Sequence, residues 1–106
     1  MLKSMPIKAY QIWLNESTYI AVDFTTVKGR VVSFVVRLMW LSIGHEVNVA
    51  RYDTAHGSPH RDLLGRRAGL IQKEWYFDQP MGRVLKNAID DFKLNYERYI
   101  ETFKAN

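Results

Sequence analysis

A chain of 106 residues with a net charge of +4 and no cysteine fits one domain with a single modest core. It has no disulfide, no thiolate metal site and no cysteine nucleophile. Hydrophobic residues make up 47% and charged residues 25%, the proportions of a soluble globular protein rather than a disordered or fibrous one. The basic excess lies mid-chain: between positions 27 and 67, Lys28, Arg30, Arg37, Arg51, Arg61, Arg66 and Arg67 stand against Glu46, Asp53 and Asp62. That bias favours an anionic partner, either nucleic acid or an acidic protein. The longest apolar run, 31–41, is interrupted by Ser33 and Arg37 and falls short of the roughly 20 residues that span a bilayer. Lys3, Ser4, Pro6 and Lys8 break the apolar centre that a signal peptide needs. A cytoplasmic protein without membrane association is expected.

After a short polar start, residues 7–14 alternate loosely as a first strand and end at the turn-forming Asn15-Glu16-Ser17. In 19–26, Ile20, Val22 and Phe24 share one face and Ala21 and Asp23 the other. Lys28-Gly29 turns the chain into 30–41, a central strand rich in β-branched residues whose Val32, Phe34, Val36, Leu38 and Trp40 line one face. Its opposite face is also largely apolar and predicts partial cover; Arg37 interrupts it and has Glu46 or Glu74 as candidate partners. A hairpin at Ser42-Ile43-Gly44-His45 leads into 46–52, with Val47, Val49 and Arg51 on one face and Asn48, Ala50 and Tyr52 on the other.

Residues 53–69 contain Gly57, Pro59, Gly65 and Gly69 without a periodic pattern, which predicts a long irregular connection of the kind that often carries function. A last strand, 70–77, directs Ile71, Trp75 and Phe77 to the core and Gln72, Glu74 and Tyr76 outward. Asp78-Gln79-Pro80 starts a helix, and Leu85, Ala88, Ile89, Phe92, Tyr96, Tyr99, Ile100 and Phe103 form its apolar stripe to about residue 103. The expected architecture is α+β: an antiparallel meander of about five strands with one long C-terminal helix packed across one face, in a single domain.

The connection and its flanks hold the candidate chemistry. His56 and His60, with Asp53, suggest a metal site, but Gly57-Ser58-Pro59 breaks the helix that would align the two rings, and no HExxH or CxxC pattern supports one. No metal or other cofactor is therefore expected. Cleaving RNA without a metal needs a base, an acid and cationic donors for the phosphate. His60 is the first choice for proton transfer and His56 its competitor. Asp53 or Asp62 would orient the ring, and Arg61 or Arg51 would hold phosphate. A structural reading stands beside this one, in which Asp53-Thr54 forms a turn and Arg61 pairs with Asp53 or Asp62. Arg66 and Arg67 suit a solvated cationic edge. Tyr96 and Tyr99 suit core packing.

Tyr52-Asp53 followed by His60-Arg61, within strands, a short gap, then strand and helix, resembles the TumE toxins of bacterial and archaeal toxin-antitoxin pairs. The resemblance covers about the last two thirds of the chain and implies a toxin acting on RNA or translation, held inactive by a cognate antitoxin. It carries over Tyr52, Asp53, His60 and Arg61. Asp62 stands where such proteins often show another histidine. The resulting expectation is an RNA-directed protein, a metal-independent ribonuclease with His60, Arg61, Asp53 and His56 as catalytic candidates. Arg51, Tyr52, Arg66 and Arg67 would contact nucleic acid. The alternative is a non-catalytic interaction module, including a homodimer.

Overall fold

Six strands pair in chain order into one antiparallel sheet, and a 25-residue helix lies across one of its faces. The computed structural model describes residues 7–106, apart from the side chain of His56. The expected polar start falls outside the described residues. The strands are β1 (Ile7–Asn15), β2 (Thr18–Val27), β3 (Arg30–Ser42), β4 (His45–Asp53), β5 (His60–Gly65) and β6 (Gly69–Trp75), followed by the helix α1 (Met81–Ala105). The α+β class and the meander with one C-terminal helix are as the sequence indicates, with one strand more. The stretch 53–69, expected to be irregular, is instead one 3-10 turn at Ala55–Gly57, the strand β5 and a tight return to β6.

Two bulges decide which side chains meet the helix. Thr25 pairs with Ser33 but Thr26 with Val31, so the extra residue Val32 leaves the core face exposed to solvent and Val31 replaces it. Leu38 pairs with Ala50 and Met39 with Asn48, which makes Val49 the extra residue of β4. Beyond that bulge Ala50 and Tyr52 join Val47 against the core, and Arg51 turns to the opposite face. The expected grouping of Val47 with Arg51 assumed unbroken alternation, which the bulge removes. The faces of β6 are likewise reversed: Glu74 pairs with Arg61 on the helix side, Tyr76 packs on the core, and Trp75 pairs with His60 on the other side.

The core is a single layer between sheet and helix. Ile20, Val22, Phe34, Val36, Leu38, Ala50 and Tyr52 meet Val84, Leu85, Ala88, Phe92, Tyr99, Ile100 and Phe103. Burying each larger side chain contributes about 1.5–3 kcal/mol. The helix begins one residue after Pro80, whose carbonyl accepts from the N–H groups of Arg83 and Val84. Asp78, expected as the cap, adopts φ 62° two residues earlier, where the chain reverses. The far end is tied to the β5–β6 turn: Arg66 N–H donates to Phe103 O at 3.0 Å, and Arg67 and Ala68 N–H to Asn106 O at 3.2 and 2.8 Å. These bonds use carbonyls that a helix C-terminus otherwise leaves free.

Among the described residues no helix lies over the opposite face of the sheet, called the far face below. Of the far-face residues of β3, Arg37 and Met39 are half-buried, which is the extent of the partial cover expected there, and Val35 and Leu41 are exposed.

Gly65 tests the tie between turn and helix. A Cβ there would lie 2.9 Å from backbone atoms of Asn106, so Gly65→Ala is expected to destabilise by about 1–3 kcal/mol through overpacking. At Gly82 a Cβ would meet only Val31 Cγ2 at 3.9 Å, and Gly82→Ala is expected to stabilise by roughly 0.5–1 kcal/mol. Urea unfolding of the two variants, read for opposite signs, checks both.

Candidate functional site

Successive strand residues point to opposite faces, and this separates the Tyr52-Asp53 and His60-Arg61 pairs. In the β4–β5 register Tyr52 stands opposite Arg61, and Asp53 opposite His60. The first pair faces the helix and the second the far face. The four residues therefore form two sites in different layers, and Arg61 does not converge with His60.

On the far face, His60 is only 1% exposed. Its Nδ1 lies 3.2 Å from Ser58 O and its Nε2 3.1 Å from Asp53 Oδ1. Both neighbours offer acceptor oxygens to the ring, and which nitrogen donates depends on the tautomer. Asp53 also accepts Ala55 N–H at 2.9 Å, the expected Asx turn. Thr54 Oγ1 accepts from Phe34 N–H at 3.0 Å and binds that turn to β3.

Arg51 spans both carboxylates, with Nε 3.3 Å from Asp53 and Nη2 2.9 Å from Asp62. Lys73 Nζ reaches Asp62 at 3.0 Å. Burial of Asp62 raises its proton affinity, but Lys73 and Arg51 outweigh this and hold the carboxyl below its ordinary value. Asp53, His60 and Asp62 bring donor atoms within 4.8 Å of one another, the spacing of a cation site. Arg51 and Lys73 already neutralise these carboxylates, so a divalent ion would have to displace them. The donor set fits an internal ion cluster better than a metal.

Beside the cluster the far face is concave, with about 710 Å³ of space lined among others by Asp23, Arg37, Arg51, Asp53 and Thr54. Arg37 and Arg51 are direct cross-strand partners. Arg37 approaches Asp23 at 3.6 Å, not Glu46 or Glu74, because it lies on the far face beside β2. Its Nε is buried and has no hydrogen-bond partner among the described residues.

On the helix side, Asp91 accepts from Tyr52 Oη at 2.6 Å, from Asn95 Nδ2 at 2.7 Å and from Tyr99 Oη. Arg61 Nη1 donates to Tyr99 Oη at 3.0 Å, and its guanidinium lies 5.9 Å from that ring's centre. Arg61 thus pairs with neither Asp53 nor Asp62, which the pleat places on the other side of the sheet. Burial, then the bond to Asp91, pushes Tyr99 up to about 12, and the same causes raise Tyr52. Burial and Glu74 push Tyr76 up to about 12. These phenols stay protonated donors at neutral pH, and the network ties α1 to β4 and β5.

Arg66 and Arg67 are exposed at the opposite end of β5, near the helix C-terminus, where cations complement the helix dipole. They lie away from the cluster. His45 pairs with Ser42 at the start of β4, roughly 26 Å of strand from Asp53, and does not join it. His56 is in the 3-10 turn, and its side chain lies outside the described residues, as does the suggested pairing with His60. Lys73, Arg37, Trp75 and Phe77 were missed as site residues. The signal for them was the cross-strand register, which single-strand patterns do not contain.

The fold is a six-stranded open-faced sheet backed by one helix, with its ionisable cluster on the uncovered face. A family model described as "Domain of unknown function (DUF7718)" matches residues 5–106, and the chain belongs to that family. No curated protein and no solved structure matches it.

Two measurements check these assignments. A carboxyl held below its unfolded value contributes stability that is present above that value, near 3.8, and is lost as pH falls through the folded one. Asp62→Asn is therefore expected to lower stability at neutral pH by roughly 1–3 kcal/mol and to flatten its decline under acid, read by urea unfolding against pH. Tyr99→Phe leaves Asp91 and Arg61 each short of a partner and is expected to cost a similar ~1–3 kcal/mol by the same measurement.

Proposed function

We propose that the protein acts on RNA, holding the phosphate backbone on the far face and cleaving it without a metal, as a toxin of a toxin-antitoxin pair. The observation that carries this reading is the Arg37–Arg51 pair. Like charges directly opposite in a sheet are destabilising, yet the side chains of Arg37 and Arg51 stand 44% and 41% exposed beside the concavity. Asp53 and Asp62 lie beneath them, buried. Apart from Asp23 beside Arg37, a ligand over this surface meets cations first, the arrangement that suits phosphate.

Asp53 lines the concavity, whereas His60 lies behind it. In the proposed cleavage Asp53 takes the 2′-OH proton, O2′ bonds to phosphorus, the P–O5′ bond breaks, and the leaving 5′ oxygen takes a proton from water, whose hydroxide is neutralised by the proton Asp53 releases. The products are a 2′,3′-cyclic phosphate and a 5′-hydroxyl. Arg51 and Arg37 offset charge on the phosphate oxygens, and His60 positions Asp53. Tyr52 and Arg61 hold the helix on the sheet. The resemblance of Tyr52-Asp53 and His60-Arg61 to TumE toxins supports the same reading, with a cognate antitoxin protein as partner.

Induced expression is expected to slow growth and to yield RNA fragments ending in cyclic phosphate. Asp53→Asn, folded by circular dichroism, should cut at least ~10²-fold more slowly, and Arg66→Ala should cut normally. Wild-type rates in Asp53→Asn would end the catalytic reading.

A second reading, a non-catalytic interaction or homodimer module, is favoured by the sheet edges. Among the described residues β1 and β6 are the edge strands, and Ile7, Trp13, Leu70 and Ile71 on them are exposed. A concentration-independent monomer in size-exclusion light scattering would count against a homodimer.

A further inference from the structure

We infer that the nucleic acid taken by the far face is single-stranded, with an unpaired base laid on Phe77 and the adjoining phosphates on Lys73, Arg51 and Arg37. The inference rests on the RNA reading above and specifies the form of the substrate.

The sheet register places the required groups in two neighbouring rows. One row runs Trp75, His60, Asp53, Val35 and Asp23 from β6 to β2. The other, two residues along each strand, runs Lys73, Asp62, Arg51, Arg37 and Ala21. At about 4.8 Å between strands, the second row carries cations from β6 to β3 over roughly 14 Å. Its buried member, Asp62, is the carboxylate that fixes Lys73 and Arg51.

The first row ends in an aromatic platform. Trp75 and Phe77 stack at 5.4 Å with 10° between their planes, and Lys73 Nζ lies 5.4 Å from the centre of the Trp75 ring. The buried His60 ring packs against Trp75 at 4.7 Å, so the platform is supported from within the sheet. Phe77 remains 62% exposed. An aromatic ring stacked on one face and open on the other, beside a line of cations, matches what an unpaired base and its phosphates require. In a duplex the base faces are occupied by neighbouring pairs, so a double strand can use the cations but not the ring. An apolar protein partner would leave the cations without a matching charge.

Binding is tested on oligothymidylate of about 12 nucleotides and on its duplex with oligodeoxyadenylate, which lack the attacking 2′-OH. Fluorescence anisotropy is read at low salt. Wild type is expected to bind the single strand at least ~10-fold tighter than the duplex. Phe77→Ala is expected to weaken single-strand binding roughly 5- to 100-fold and to leave duplex binding unchanged. Phe77→Trp should restore it. Arg37→Gln should weaken both forms.

Equal affinity for the two forms, or unchanged binding by Phe77→Ala, overturns the stacking inference; if Arg37→Gln still weakens binding, the RNA reading stands. Loss of an oligomer in Phe77→Ala, with no change in oligonucleotide binding, makes the ring a protein contact and also overturns it. If wild type binds neither form, nor an RNA of the same length, the RNA reading fails with it.

Discussion

The pairing of β4 with β5 is the constraint on which both polar sites depend. With Tyr52 opposite Arg61 and Asp53 opposite His60, one pair faces the helix and the other the open side. A slip of one residue would exchange them. The Asp53 carboxylate and His60 ring would then meet the apolar stripe of α1, and the phenol of Tyr52 would lose Asp91. Each network is satisfied in one register and broken in the other, so the polar residues specify the pairing more sharply than apolar alternation would. Hydrophobic burial supplies the layer, and the buried polar bonds select its alignment.

The same pairing sets the electrical character of the open face. Asp53 and Asp62 are buried and bonded across the strands to His60, Arg51 and Lys73. The longer cationic side chains rise past them toward solvent. A surface with nearly balanced formal charge thus presents its positive groups outward. The net +4 of the chain understates this, because composition counts charges without regard to depth.

Much of the fold could be read from the sequence. The alternation of Ile20, Val22 and Phe24, the apolar run of β3 and the helical stripe from Leu85 to Phe103 each name their buried face, and the structure turns them to the core except at Val32. β5 was not legible because its buried far-face residues are His60 and Asp62. Hydropathy treats those residues as exposed, and only their cross-strand partners make burial tolerable. The bulges at Val32 and Val49 were illegible for a related reason: an extra residue shows itself against the partner strand, not along its own. For the site, His60, Asp53 and Arg51 could be named because they lie within one short stretch. Arg37, Lys73 and Trp75 come from other strands and join them only through register.

The helix side largely agrees with the fold: apolar residues are packed and Tyr52 and Tyr99 find Asp91, with the buried Nε of Arg61, unpartnered among the described residues, as the exception. The far face departs from that consistency in three neighbouring places. Two arginines stand directly opposite each other, an arginine nitrogen lacks a partner, and two aromatic rings stack in the open. Each is locally unfavourable in the isolated chain, and a sequence selected for stability alone would be expected to remove them. A phosphate would offset the first, and a base would cover the third. Their placement in adjacent rows of one sheet face allows a single ligand to do both.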